Sequence, residues 1–160
     1  MGKKVTYLGL DIGNYDVKTV NTSTPSGFNV FTTKPYGVSE YLLYNGKYYT
    51  PSMDRFAYRK DKTKNENAFI MSLFGISKEL IVRAQKKYDR ELKRAEETSS
   101  YLPSVDSIQD VLNEAYSLNL GVGVPPTHYA TLAQKTIDYY KEHFSEPVVC
   151  EFNGYRIEIN

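Results

Sequence analysis

Leu8-Gly9-Leu10-Asp11-Ile12-Gly13-Asn14-Tyr15-Asp16-Val17-Lys18 reads as a buried strand, a tight polar turn and a return strand. Residues 5–10 form a short apolar run that ends at Asp11, the pattern of a buried strand. Gly13 follows two residues later, where the missing side chain lets the backbone turn sharply and clears an approach path. The amides of Gly13, Asn14 and Tyr15 can then converge. Converging amides form an anion-binding nest, and polyphosphate is its natural guest. Lys18 lies at the start of the return strand, on the side that reaches back to the phosphates. Asp11 is placed to hold Mg²⁺ through water, because Mg²⁺ takes few carboxylates and keeps much of its hydration. The competing reading of Asp11, Gly13 and Lys18 is a plain strand–turn–strand closed by an ion pair. Asn14 and Asp16 are also ordinary turn residues.

Outward from this turn the pattern continues as an α/β domain. Residues 17–21 read as the second strand, and Pro25-Ser26-Gly27 as the turn of a hairpin to 28–33, giving a three-strand meander. Asn45-Gly46 is a strong two-residue hairpin signal between 41–44 and 47–50. Residues 54–67 are charged and lack a core segment, so 40–66 is expected as a small lobe on the rim. Residues 68–98 form the longest helical pattern, with Phe69, Leu73, Ile76, Leu80, Ala84 and Tyr88 at three- and four-residue steps. Gly75 is expected to soften that helix midway. Beyond Arg83 the helix becomes charged, with Lys87/Glu91, Asp89/Lys93 and Lys93/Glu97 one turn apart. Such a face is most often simply solvated, with a filament or partner contact as the minority reading.

A shorter helix is expected over 106–116, carrying Ile108, Val111, Leu112 and Ala115 on one side. A strand over 118–124 ends at Pro125-Pro126, and Thr127 is placed to cap a helix running to about 144. Two strands around Asn153-Gly154 close the sequence as a hairpin. This order predicts a mixed sheet, the meander followed by βαβ elements, with helices on its faces, in one domain over 1–160. Pro125 ends a strand expected to run parallel to the first, where ligands of such sheets gather. A contact near the phosphates and a plain strand end are equally good readings there.

The totals bound the function. The 160 residues carry a formal net charge of +1, which gives no general drive toward nucleic acid or acidic membranes. Cys150 is the single cysteine, so no intramolecular disulfide forms. With no signal-peptide pattern, this points to the cytoplasm. No apolar run approaches the roughly 20 residues needed to span a bilayer. His128 and His143 stand too far apart to share a metal on neighbouring helical turns. His128 reads as a first-turn helix residue, His143 and Cys150 as structural.

The Asp-x-Gly-x-x-x-x-Lys spacing of Asp11, Gly13 and Lys18 resembles the first phosphate motif of the actin, heat-shock-70 and sugar-kinase superfamily. Among these it is most similar to the bacterial plasmid-segregation actins of the ParM/StbA kind. Phe69-Ile70-Met71-Ser72-Leu73-Phe74-Gly75-Ile76 resembles the long helix that follows their meander. Gly121-Val122-Gly123-Val124-Pro125-Pro126-Thr127-His128-Tyr129 resembles their strand ending in Gly-x-Pro before a helix. The resemblance implies a ribonuclease-H-like, actin-type ATPase domain, the N-terminal half of a two-domain fold. It implies ATP or GTP with Mg²⁺, held by Gly13, Asn14, Tyr15, Lys18 and Pro125, with Asp11 on the ion. It also implies self-association into filaments and contact with DNA only through an adaptor, with no membrane.

Two departures qualify this. No second Asp-x-Gly follows Asp11, so the chain by itself is expected to lack efficient hydrolysis. The stretch 86–104 is also longer and more charged than the family pattern. One alternative is a ribonuclease-H-like, metal-dependent nuclease related to junction resolvases, which needs several carboxylates around two metal ions. Glu151 is an isolated candidate partner for Asp11 in that reading. The other alternative is a non-catalytic protein-binding domain led by the charged helix.

Overall fold

The structure, a computed structural model, describes residues 4–98, 107–113 and 116–160. Its strands form two sheets rather than the one expected. The first contains β1 (Lys4–Ile12), β2 (Asp16–Lys18), β3 (Ser23–Pro25) and β7 (Tyr116–Val122), in the order β3-β2-β1-β7. β1 runs antiparallel to β2 and parallel to β7, in register from Lys4↔Tyr116 to Leu10↔Val122. Side-chain alternation sends Leu8 and Leu10 into the core and leaves Tyr7, Gly9 and Asp11 on the opposite, open face.

The second sheet contains β4 (Phe28–Phe31), β5 (Leu42–Tyr44), β6 (Lys47–Pro51), β8 (Val148–Phe152) and β9 (Tyr155–Ile159). Its order is β4-β6-β5-β8-β9, antiparallel throughout. Both Asn-Gly pairs make the expected two-residue turns. Asn45 and Gly46 adopt φ of 50° and 76°, Asn153 and Gly154 of 48° and 88°, the left-handed conformations such turns require.

The meander differs from expectation. Its third strand is β3, reached through a short turn at Thr19–Thr22, where the Thr19 amide donates to the Thr22 carbonyl. Pro25-Ser26-Gly27 is a crossing between sheets, not a hairpin turn. A Cβ at Gly27 would stand 2.5 Å from the Asp54 carbonyl oxygen. Ser52 and Phe56 donate their amides to Gly27 and Ser26. The backbone groups of this crossing are therefore satisfied by the 52–56 segment, and β4 pairs with β6 instead. Residues 40–66, expected as a rim lobe, supply β5 and β6, two of the three inner strands of the second sheet. The remainder is irregular apart from a 3₁₀ turn at Lys62–Lys64.

α1 (Asn67–Glu97) touches strands of both sheets, meeting β1, β2, β3 and β8. Phe69, Leu73, Phe74, Ile76 and Leu80 are buried, and Phe74 meets Phe152 edge to face. Gly75 does not soften this helix. It lets α1 pack tightly on β1 and β2, because a Cβ there would lie 2.6 Å from Leu10 Cδ1 and 3.3 Å from Val17 Cγ1. The charged end projects, with Lys93 and Glu97 3.9 Å apart and both exposed.

α2 (Ile108–Leu112) is shorter than expected and buries Val111 and Leu112. Asp106 and Ala115, expected in that helix, lie outside the described residues. α3 (Tyr129–His143) is preceded by a 3₁₀ turn, Pro126–His128, that contains Thr127. Thr127 therefore does not cap α3. The N-cap position falls on His128, whose side chain makes no capping bond. Among the described residues no helix is long and apolar enough to cross a membrane.

Candidate functional site at the ends of β1 and β7

The parallel strands β1 and β7 end side by side. Gly123 extends their ladder by one residue, donating its amide to the Leu10 carbonyl at 3.0 Å. Asp11 stands beside it, and a Cβ at Gly123 would lie 3.9 Å from Asp11 Oδ1. No side chain rises from Gly123, so a ligand can approach the carboxylate from that side. Asp11 pairs across the sheet with Lys18, which places both exposed side chains on the same open face.

The turn between β1 and β2 is cross-braced. Gly13 donates its amide to the Asp16 carbonyl at 3.0 Å, and a Cβ at Gly13 would come within 2.6 Å of that oxygen. Ser26 Oγ donates to the Gly13 carbonyl at 2.8 Å, and the Ser26 amide donates to the Tyr15 carbonyl at 3.0 Å. Arg55 Nε donates to the same Tyr15 carbonyl at 2.7 Å, while its Nη2 pairs with Asp16 at 3.2 Å. The guanidinium lies over the Tyr15 ring, 3.6 Å from its centre. The expected three-amide nest is thereby reduced. The Gly13 amide closes the turn, whereas those of Asn14 and Tyr15 donate to nothing among the described residues.

Two small clefts flank the strand ends on the α1 side, of about 50 and 70 Å³. Asn14 lines both, Gly13 the smaller and Pro125 the larger. Asp11, Tyr15 and Lys18 stand outside both sets of walls. The residues predicted from the sequence thus separate into two groups. Asp11 and Lys18 share the open face, Gly13, Asn14 and Pro125 border the clefts, and the turn joins the groups.

Lys62 was not singled out from the sequence. Its ammonium donates to the Ile12 carbonyl and is half-buried where the two clefts meet. Burial lowers its pKa, and the nearby Asp11 charge acts in the opposite direction. Asp61 fixes this segment. Its carboxylate accepts from the Thr63 hydroxyl and amide, which hold its pKa below the usual value, and it lies 3.6 Å from Lys135 on α3. Tyr139 braces the base of the same segment. Its hydroxyl donates to the Asn65 carbonyl at 2.7 Å and accepts from the Phe69 amide at 3.0 Å, and burial pushes its phenol up to about 12. In the sequence, 58–63 is only a charged run, and no local signal distinguishes Lys62 from its neighbours.

The donor set fits one hydrated, hard cation held by a single carboxylate. Among the described residues no group of three or more His, Cys, Asp or Glu could hold a metal. The multi-carboxylate arrangement required by the nuclease alternative is therefore not formed by these residues.

No family model and no curated protein matches the chain. Solved structures do match, two of them as follows. One is the apo ParM protein of pSK41, 14% identical, with 99% of this chain and 47% of that one covered at a TM-score of 0.54. The other is an AlfA filament bound to AMPPNP, 16% identical, with 98% and 51% covered at the same TM-score. The chain spans about half the length of either. At these identities the likeness is one of fold, and this chain has the actin-like fold that ParM and AlfA share over that half of their length.

Proposed function

We propose that this chain is the nucleotide-binding N-terminal half of a ParM-like, filament-forming ATPase that segregates plasmid DNA in the cytoplasm. The observation that carries the reading is the pair of parallel strand ends, where the Asp11 carboxylate lies beside Gly123 next to a braced glycine turn. Ligands of such sheets bind outside the carboxyl ends of the strands. The antiparallel β1-β2-β3 order with β7 parallel to β1 also supports the ribonuclease-H-like description of the first sheet. AMPPNP bound to AlfA supports a nucleoside triphosphate as the ligand class.

In this reading the Asn14 and Tyr15 amides hold phosphate oxygens, and Lys18 approaches them from the open face. Asp11 holds a hydrated Mg²⁺, which when bound neutralises phosphate charge. Pro125 borders the same region. The base pocket, and therefore the choice between ATP and GTP, belongs to the other half of the fold. So does the positioning of the attacking water, and rapid hydrolysis depends on that positioning. Filament contacts and a DNA adaptor complete the proposed role.

The test is calorimetric titration of Mg-ATP into the protein and its Asp11→Ala variant. Weak binding that falls about tenfold or more in the variant is expected, the size typical of losing a charged contact. Equal affinity in both proteins removes Asp11 from the site. Metal-dependent cleavage of nucleic acid that disappears in Asp11→Asn would replace this function with the nuclease.

A further inference from the structure

The Lys62 ammonium is half-buried, yet its bond is to a neutral carbonyl, that of Ile12. Among the described residues no carboxylate forms an ion pair with it, whereas Lys64, Lys78 and Lys93 each have one. A desolvated cation that is offset only by a carbonyl dipole is poorly compensated, and an arriving anion improves its position. Its location adds to this. The same side chain lines both clefts, so it stands between them, along with Ile12 and Asn14. Arg59 borders both clefts as well, so the charged side chains common to both are cationic, while Asp61 borders the larger cleft and is itself beside Lys64 and Lys135.

The backbone carrying Lys62 is held from two sides, by Asp61 toward α3 and by Tyr139 through Asn65. The side chain alone is therefore free to exchange partners. Because Ile12 directly precedes Gly13, the ammonium rests at the foot of the phosphate turn, within reach of the Asp11 charge.

We infer that Lys62 is a further ligand-binding residue of this site, an ammonium held on the Ile12 carbonyl that transfers to the polyphosphate end of a nucleotide entering at the Gly13–Tyr15 turn. This rests on the nucleotide-binding reading above. It assigns the cleft-side cation to a segment that shares no motif with Lys18, and the two lysines then approach the phosphates from opposite faces of the first sheet.

The experiment compares the intact protein with Lys62→Gln, Lys62→Arg and Asp11→Ala by calorimetry, using Mg-ATP and, separately, sodium tripolyphosphate without metal. Glutamine retains a donor for Ile12 but no charge. Lys62→Gln is expected to bind both probes about tenfold more weakly or worse, and Lys62→Arg to stay within about threefold, as expected for a charge-assisted phosphate contact. Asp11→Ala should weaken Mg-ATP more than the metal-free probe. Wild-type affinity for tripolyphosphate in Lys62→Gln, with Asp11→Ala still impaired for Mg-ATP, overturns the role of Lys62 and leaves the nucleotide site standing. If the wild-type protein binds neither probe, both readings fall.

A second measurement needs no variant. Acetylation of Lys62 by an N-hydroxysuccinimide ester, followed by peptide mass spectrometry, should slow severalfold when tripolyphosphate is present. Unchanged labelling at saturating probe overturns the inference even if Lys62→Gln fails to fold.

Discussion

Glu79→Ala should be the most damaging single truncation of a polar side chain in this fold. Glu79 is fully buried on α1, and its carboxylate accepts four bonds. They come from the Thr19 hydroxyl at 2.9 Å, the Asn21 amide at 3.2 Å, the Asn21 side chain at 2.8 Å and Arg83 Nε at 2.9 Å. Arg83 also donates to the Tyr7 carbonyl at 2.8 Å, so one carboxylate ties α1 to both β1 and the β2–β3 turn. Removing one partner of a buried charge pair costs roughly 3–5 kcal/mol. The Arg83 side chain is 36% exposed and regains water, which favours the lower end. A loss of about 3 kcal/mol follows, and for a chain of this size it lowers Tm by about 6–12 °C.

The pH dependence gives an independent check. Burial alone would raise the Glu79 pKa, but the bonds from Thr19, Asn21 and Arg83 outweigh it and hold the folded-state value below the ordinary one. A lowered carboxylate pKa contributes stability above the unfolded-state value, and that stability is lost as pH falls through the folded value. The difference between wild type and Glu79→Ala, measured by urea unfolding followed by circular dichroism, should therefore shrink from pH 7 toward pH 3. A loss below about 1 kcal/mol at pH 7, or a difference that grows on acidification, refutes the reasoning.

Gly13→Ala should destabilise the protein by about 1–3 kcal/mol, because the new methyl group meets the backbone oxygen of Asp16 rather than a movable side chain. Urea unfolding indistinguishable from wild type would show that the turn is looser than described. Tyr139→Phe should cost about 1–2 kcal/mol through the lost bonds to Asn65 and Phe69. The raised Tyr139 phenol contributes stability below its unfolded-state value near 10, and this is lost as pH rises toward about 12. Thermal melts at pH 9 and 11 should accordingly show a smaller alkaline decline in Tyr139→Phe than in wild type, and equal declines would contradict this.

Local chemistry made much of this protein legible in its sequence. The apolar run before Asp11, the periodicity from Phe69 to Tyr88 and the two Asn-Gly turns each depend on neighbours within a few residues, and β1, α1 and both hairpins formed where expected. The order of these elements also carried the resemblance to ParM-like actins, and the structural comparisons agree at the level of fold. Strand pairing was not legible in the same way. Pro25-Ser26-Gly27 has turn chemistry whether it closes a hairpin or crosses between sheets. Only the approach of 52–56 to its backbone decides the outcome.

The candidate site divides along the same line. The placement of Asp11 at a strand end and of Gly13 in the turn was legible because it depends on neighbours within a few residues. Lys62 and Arg55 were not, because each acts on this turn from more than thirty-five positions away. The sequence by itself determined β1, α1, α3 and the two Asn-Gly hairpins, since those choices are made by short-range propensity and burial pattern. Only the tertiary structure decided that two sheets form, and that a charged run at 58–63 places an ammonium against Ile12. Those outcomes depend on contacts between distant segments, which no local pattern encodes.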